Sequence, residues 1–168
     1  MMRFARLLRH AFTTPLAVRR AFPPSSLTRI TQAIAASEER HSGQIRCAIE
    51  SALPWSYLRR DAPARQRALM VFSKLRVWDT EGNNGVLIHL ELADHSIEVV
   101  ADRGIAQHIG EQEWKQVCDL MREHFRRGQF ETGVLAGVDA IGARLQQHFP
   151  VAPGLRRTNE LPDTPTVL

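Results

Sequence analysis

The sequence predicts an α/β domain built around a small mixed β-sheet. Four segments carry apolar residues at helical spacing, and three shorter apolar segments bounded by turn residues are typical of strands. These elements follow one another in the order α-β-α-β-β-α-α. A strand, a helix and a second strand in succession favour a parallel pair joined by a right-handed crossover. The third strand follows the second after a short turn, so it should pair with it as an antiparallel hairpin.

The first helix and the first strand are marked by their boundary residues. Ser25 or Ser26 can cap a helix that continues to about His41. Gly43 then opens a strand of alternating apolar residues, and Pro54 stops it. We expect this strand to lie inside the sheet.

The second helix and the hairpin follow a loop over residues 53–61. Asp61 is the expected helix cap, and Pro63 is tolerated in the first turn. A polar loop over residues 79–84 leads into a strand over residues 85–92, and residues 96–101 form its hairpin partner. The predicted register sets residue 90 opposite residue 99 and residue 88 opposite residue 101, which keeps apolar side chains together.

Two further helices complete the predicted domain. The third begins near Gly110 and ends at Gly128, and the last covers about residues 130–148 before Pro150. We therefore expect three parts: a basic arm over residues 1–24, a domain over residues 25–150 and a proline-rich, extended tail over residues 151–168. The apolar residues of the tail could still pack: Leu161, Val167 and Leu168.

Length and composition limit the possible classes of protein. A chain of 168 residues is about one domain and can form a core without disulfides. Cys47 and Cys118 lie in apolar contexts and are expected to be buried thiols. No apolar run approaches the ~18 residues of a membrane helix, and the N-terminus makes a poor signal peptide. We expect a cytoplasmic protein, with peripheral attachment to the inner membrane as the alternative.

The basic arm is the main asymmetry of charge. Six arginines and no acidic residue precede Glu38, whereas the remainder is nearly neutral. The arm is predicted to lie outside the core, either as a solvated tail or in contact with anionic lipid or nucleic acid. The neutral remainder makes nucleic acid the less favoured partner.

Polar residues are expected to gather at one end of the sheet. Parallel strands start at the same edge, and the hairpin returns its last residue there. The residues placed at this edge are Glu38, His41, Asp79, Asn84, Asp102 and Arg103. Oxygen ligands from separate loops suit Ca²⁺ or Mg²⁺. The alternative is that these residues form caps, turns and ion pairs. Open α/β sheets usually bind ligands at the opposite edge, which would carry residues 51–57 and the turn at residues 94–95.

Other cofactor motifs are missing from the sequence. The seven histidines show neither HExxH nor a Cys/His zinc spacing, and there is no P-loop and no GxGxxG. No organic cofactor is therefore expected. No catalytic nucleophile is visible either.

Several short motifs occur in order along the chain: Ser37-Glu38, His41-Ser42-Gly43-Gln44-Ile45, Arg76-Val77-Trp78-Asp79, Asn83-Asn84-Gly85 and Ala101-Asp102-Arg103-Gly104. Together they resemble the TPM domain family over roughly residues 27–150. The resemblance implies a three-layer α/β/α domain with a small mixed β-sheet. Plant members of that family are associated with photosystem II repair, with acid phosphatase activity and with bound divalent metal.

Three functions remain open from the sequence. The resemblance favours a TPM-like interaction domain that acts with protein partners in membrane-protein quality control or assembly. Its divalent-metal site would use Glu38, Asp79, Asn84 and Asp102, with Arg103 and His41 as further candidates. The enzyme alternative is a metal-assisted acid phosphatase in which Arg103 stabilises charge. The third is a peripheral membrane or nucleic-acid adaptor that uses the basic arm. Oligomeric state is not predicted.

Overall fold

The computed structural model describes residues 2–152, 154 and 158–168, and it shows a small α/β fold. Its helices are α1 (Met2–Phe12), α2 (Pro15–Ala21), α3 (Pro24–Glu38), α4 (Trp55–Arg59), α5 (Ala64–Lys74), α6 (Arg103–Ala106), α7 (Glu111–Arg126) and α8 (Phe130–His148). Its strands are β1 (Gln44–Glu50), β2 (Gly85–Glu91), β3 (Ser96–Ala101) and β4 (Thr166–Val167). The four predicted helices correspond to α3, α5, α7 and α8 and are confirmed.

The sheet is mixed, with the strand order β3-β2-β1-β4. Strand β1 runs parallel to β2, and β3 pairs antiparallel with β2, as predicted. The sequence did not predict β4, which adds the tail to the outer side of β1 with Val167 opposite Ile49. Leu161 of the tail is also buried. The C-terminal segment is therefore part of the packed structure.

Helices cover both faces of the sheet, which gives the three-layer α/β/α arrangement. On one face, α2, α3, α7 and α8 enclose a large core around Ile45, Ile88 and Met121. On the other face, α5 encloses a smaller core around Ala48, Val71 and Leu87. No helix within the described ranges combines the length and apolar character that a membrane crossing requires.

The predicted hairpin register is wrong by two residues. Leu90 lies opposite Ile97 and Ile88 lies opposite Val99, and Ala101 pairs with Val86. A shift by two residues leaves every side chain on its predicted face of the sheet. The apolar pattern that fixed the faces could therefore not fix the register.

The side chain of Glu91 explains why the turn begins earlier than predicted. Its two carboxylate oxygens accept the backbone N–H groups of Ala93 and Asp94, at 2.8 and 3.0 Å. His95 takes a left-handed conformation with φ of 53°, and Ser96 then pairs with Glu91. The last pair of the hairpin before the turn is thus Glu91 with Ser96, rather than Leu92 with Ile97 as in the predicted register.

The expectation that residues 1–24 lie outside the core is also wrong. Val18 and Phe22 of this segment are 2% and 1% exposed and belong to the large core. The ring centroid of Phe22 lies 5.9 Å from that of Phe130. The boundary predicted after residue 24 therefore does not separate a free arm from the domain.

Two local predictions around residues 53–63 fail for simple reasons. The expected loop contains the short helix α4, whose Tyr57 packs in a small cluster with Leu53. Asp61 does not cap α5, because its φ of 52° places it in a turn and Pro63 occupies the capping position. The approach to α5 is thus set by turn geometry.

Candidate functional site

Three chain segments meet at the end of the sheet where β1 and β2 begin, which we call the amino rim (residues 37–44, 79–85 and 101–104). The Asn84 side-chain amide donates to the Ser42 carbonyl oxygen at 3.0 Å. The Gln44 N–H donates to the Asn84 carbonyl at 3.1 Å, and the Asp102 N–H donates to the Gly85 carbonyl at 2.9 Å. The parallel pair and the hairpin therefore bring together the segments that the topology predicts.

Asn84 and Asp102 each leave one buried oxygen atom without a hydrogen-bond partner. Both residues are buried, and the two atoms are Asn84 Oδ1 and Asp102 Oδ2. The other Asp102 oxygen accepts the Arg103 N–H at 2.7 Å and caps α6. Buried polar atoms are rarely left unsatisfied, so two acceptors of this kind at one rim call for an explanation. Both are hard oxygen ligands of the type that Ca²⁺ and Mg²⁺ prefer.

Glu38 and His41 are fully buried and make contacts that hold the chain where it enters β1. Glu38 Oε1 accepts the Ile45 N–H at 2.6 Å. His41 Nδ1 lies 3.0 Å from the Gly43 carbonyl oxygen, and its Nε2 lies 3.1 Å from Ser37 Oγ. A carbonyl only accepts, so Nδ1 carries a proton, and Nε2 shares its hydrogen bond with the Ser37 hydroxyl. These contacts show both side chains in supporting roles.

Asp79 and Arg103 lie on the exposed side of the amino rim. The Asp79 carboxylate is half exposed and pairs with Arg76 at 2.7 Å. Arg103 is exposed, and its Nε lies 3.4 Å from Asn83 Oδ1. Of the sequence-predicted residues, Asn84 and Asp102 therefore combine burial with spare acceptors, whereas Asp79 turns to a neighbouring arginine.

The tail contributes to the amino rim in a way that the sequence did not indicate. Gln44 Oε1 accepts the backbone N–H groups of Glu160 and Leu161 at 2.9 and 3.0 Å. The Glu160 carboxylate in turn accepts the Glu81 N–H at 2.7 Å. The only advance signal was the apolar character of Leu161. The tail thus closes over the loop that precedes β2.

A second polar group lies at the opposite end of the sheet, which we call the carboxyl rim (residues 50–53 and 89–95). Glu50 and Glu91 are partners across β1 and β2, and both are buried. Glu50 accepts hydrogen bonds from Arg67 at 2.6 Å and lies 3.3 Å from His89 Nε2. Burial alone would raise the pKa of Glu50, but the bonds from His89 and Arg67 outweigh it and lower that pKa.

At the same rim, His10, Glu91 and Asp94 place possible metal-ligand atoms within 4.8 Å of one another. Asp94 already pairs with Arg6 at 2.7 Å and with Arg9 at 2.9 Å. Burial is the largest single influence and would raise the pKa of Asp94, but the hydrogen bonds and charges of Arg6 and His10 together outweigh it and lower that pKa. The two arginines therefore already supply the positive charge that a metal ion would bring to Asp94.

His10 confirms that this group serves to dock α1. Its Nδ1 accepts the Leu53 N–H at 3.0 Å, and its Nε2 lies 3.1 Å from Asp94 Oδ2. Because Nδ1 accepts, the proton of the neutral ring lies on Nε2 and faces Asp94. Neither ring nitrogen then has a free lone pair for a metal ion. Sequence reasoning missed this group because its members are about 85 residues apart and belong to no motif.

Glu91→Gln should stabilise the protein above pH 7. Burial raises the pKa of Glu91 to about 7 from 4.5, so the contribution of its proton to folding is complete below pH 4.5 and is lost as pH rises through 7. One pKa unit corresponds to about 1.4 kcal/mol, and glutamine loses one of the two hydrogen bonds that Glu91 accepts from the backbone. We therefore expect the free energy of unfolding to rise by about 1–2 kcal/mol at pH 8.5 and to stay unchanged near pH 4.5. Urea unfolding across this range measures it. Glu39→Gln, at an exposed position, is the control, and parallel pH profiles for Glu91→Gln and the parent chain would contradict the assignment.

Comparison with known proteins identifies a family and a related structure. The model of the TPM domain family matches residues 19–144. The NMR structure of the BA42 protein from the psychrophilic bacterium Bizionia argentinensis is similar, with 26% sequence identity and a TM-score of 0.74. The similarity covers 85% of this chain and 92% of that protein. None of the curated proteins compared matches the chain. The range that the family model matches, residues 19–144, contains both rims of the sheet, whereas α1 and the tail lie outside that range.

Proposed function

Because this chain belongs to the TPM domain family, we propose that it is an interaction domain whose amino rim binds a divalent cation. Its role would lie with protein partners in the assembly or quality control of membrane proteins. The observation that supports the cation site is the pair of buried acceptors without partners, Asn84 Oδ1 and Asp102 Oδ2. The partner role rests on the family alone.

The amino rim suits Ca²⁺ or Mg²⁺ by the chemistry of its donors. Asn84 and Asp102 would hold the cation, while Glu38 and His41 keep the loop into β1 in place. Asp79 would contribute only if it left Arg76. Binding should be weak, because tight sites use several carboxylates and this rim offers few. A bound cation would neutralise Asp102 and tie together the loops before β2 and after β3.

Calcium and magnesium should raise the melting temperature of the protein by an amount that grows with the ratio of cation concentration to Kd. The expected stabilisation is about 1.4 kcal/mol when the cation is tenfold above its Kd. Asp102→Asn should abolish the response without loss of folding, because asparagine caps a helix about as well as aspartate. Asp79→Asn should retain it, since that carboxylate pairs with Arg76. Thermal unfolding with calorimetric titration measures both.

Two results of this experiment would count against the site. No response at millimolar cation would leave Asn84 and Asp102 as turn and capping residues. A response that survives Asp102→Asn but is lost in Asp79→Asn would move the site to the exposed part of the loop. Capture of partners from membrane and soluble fractions, with and without cation, tests the interaction role separately.

A metal-assisted phosphatase is the second candidate, and the position of Arg103 favours it. This arginine is exposed beside Asp102 at the amino rim, where it could bind the oxygens of a phosphoryl group. A bound divalent cation would polarise the phosphoryl oxygen and lower the pKa of a coordinated water. Hydrolysis of a phosphate monoester, measured on the parent chain, on Asp102→Asn and on Arg103→Gln, separates the candidates. Turnover that needs both the cation and Arg103 would favour the enzyme, and cation binding without turnover would favour the interaction domain.

A further inference from the structure

Helix α1 is amphipathic, yet it docks onto the domain with its polar face. Arg6 donates from Nε to Asp94 at 2.7 Å and from Nη1 to Asp61 at 2.8 Å. His10, on the same side of the helix, is 5% exposed and accepts the Leu53 N–H. These polar contacts fix the orientation of α1, because turning the helix over would leave the partly buried Asp94 carboxylate without its cation.

The apolar face of α1 therefore points away from the domain. Phe4, Leu8 and Phe12 are 68%, 43% and 80% exposed, and Leu16 of α2 is 52% exposed. Residues four apart lie along one side of a helix, so the three side chains of α1 form a single stripe. A surface helix normally buries its apolar stripe against the core. A stripe that faces outward marks a surface for another apolar partner.

Grooves extend this apolar surface on both sides of α1. One groove of about 940 Å³ is lined in part by Leu8, Phe12, Leu16 and Phe130. A smaller one of about 170 Å³ has apolar walls at Leu7, Leu58 and Trp55 and charged walls at Arg6, Arg59 and Asp61, and Trp55 is 64% exposed. Tryptophan is the side chain most typical of the boundary between membrane and water. The outward face is thus an apolar ridge with a tryptophan at its edge.

Arginines border this ridge, and they outnumber the acidic side chains beside it. Arg9, Arg19 and Arg20 are exposed, and no acidic residue precedes Glu38 in the sequence. Asp61 and Asp94 contact α1, and both carboxylates are paired: Asp61 with Arg6, and Asp94 with Arg6 and Arg9. Apolar side chains that enter a bilayer surface, with arginines at the level of the head groups, are the features of helices that lie on anionic membranes.

We propose that α1, together with Leu16 and Trp55, binds the surface of an anionic membrane, with α1 lying in the membrane plane. A second copy of this chain fits the face less well. A two-fold contact through the ridge would bring the arginines of both copies together, where like charges repel. A lipid surface instead supplies negative charge next to apolar chains. The cation site at the amino rim plays no part in this contact.

Vesicle flotation with the full chain tests the proposal. The protein should float with phosphatidylcholine vesicles that contain phosphatidylglycerol and should remain unbound with phosphatidylcholine alone. Phe12→Ser should weaken binding by roughly tenfold, since it removes one inserted aromatic ring. Arg19→Gln and Arg20→Gln should each weaken membrane binding about fivefold, because each removes one positive charge. Added salt should also weaken membrane binding, because it screens the remaining charges. Met70→Ser, at a 52% exposed position on α5, is the matched control and should bind as the parent chain does.

Fluorescence and oligomeric state complete the test. In a Trp78→Phe background, emission from Trp55 should shift to the blue on binding, while Trp114 is already buried. No flotation with phosphatidylglycerol, or flotation unchanged by Phe12→Ser, would overturn the proposal. It would also fall if Phe12→Ser converted a dimer into a monomer and vesicles did not bind, because the face would then belong to a second copy. All substituted positions are exposed, so the variants should fold, which circular dichroism checks.

Discussion

Gly85→Ala is expected to destabilise the protein by about 3 kcal/mol or more, a large part of the stability of a small domain. A Cβ atom at this position would lie 2.0 Å from the backbone oxygen of Val77 and 2.9 Å from its Cγ1. The Val77 backbone cannot move aside easily, because its N–H donates to the Phe72 carbonyl at 3.0 Å at the end of α5. Either β2 or this turn would have to shift.

Gly110→Ala provides the matched control for this substitution. A Cβ atom at Gly110 meets no heavy atom within 4 Å, and its φ of −79° suits any residue. Loss of a glycine at this helix cap should cost less than about 1 kcal/mol. Urea unfolding of both variants measures the difference. A loss below about 1 kcal/mol for Gly85→Ala as well would mean that the Val77 turn adapts and that close packing does not require glycine at the start of β2.

The strands and long helices could be predicted because local pattern and topology agree there. Short apolar segments between turn residues identified β1, β2 and β3, and the crossover rule gave the parallel direction of β1 and β2 without any knowledge of packing. Gly85 was recognised as the start of a strand from the polar loop before it. Its contact with Val77 was not, since that approach depends on how α5 ends. Sequence pattern thus predicts where β2 begins, whereas the need for glycine at that point depends on the packing of the neighbouring turn.

The hairpin register shows where pattern stops being informative. A slip by two residues exchanges one apolar pair for another, so Leu90 can face Ile97 or Val99 with the same side buried. The choice is made by the Glu91 carboxylate, which binds two backbone N–H groups of the turn. An acidic residue at the end of a buried strand is a signal of this kind only once its burial is known.

The N-terminal segment failed as a prediction for the opposite reason. Its apolar residues were sought on the face that meets the core, but α1 meets the domain through Arg6 and His10. Their partner Asp94 lies more than 80 residues away, and no periodicity links the two. At the amino rim, by contrast, Asn84 and Asp102 were found because parallel strands share their starting edge. Interactions encoded by topology were predictable, and those between distant single charges were not.

Arg67→Met is expected to cost about 3–5 kcal/mol at pH 7, because it leaves a buried carboxylate without its main partner. Arg67 holds Glu50 through both carboxylate oxygens, with Nη2 2.6 Å from Oε1 and Nε 3.0 Å from Oε2. The two side chains are 12% and 5% exposed. Arg76→Met removes an arginine of the same type from an exposed pair with Asp79 and should cost less than about 1 kcal/mol.

The pH dependence of this loss distinguishes charge from packing. The pKa of Glu50 lies below its ordinary 4.5 in the folded protein, so the stability that its ionised form contributes is present above 4.5 and is lost as pH falls through the folded value. Without Arg67, less remains to offset the effect of burial, so the pKa of Glu50 rises and the carboxylate takes up its proton at higher pH. The difference in unfolding free energy between Arg67→Met and the parent chain should therefore narrow as the pH falls from that higher value through the lowered pKa of Glu50 in the parent chain. The double variant Glu50→Gln/Arg67→Met should recover part of the loss at pH 7, since no buried charge remains. A loss that stays constant with pH would instead assign the effect to packing of Arg67 over the Tyr57 ring, 5.5 Å from its centroid.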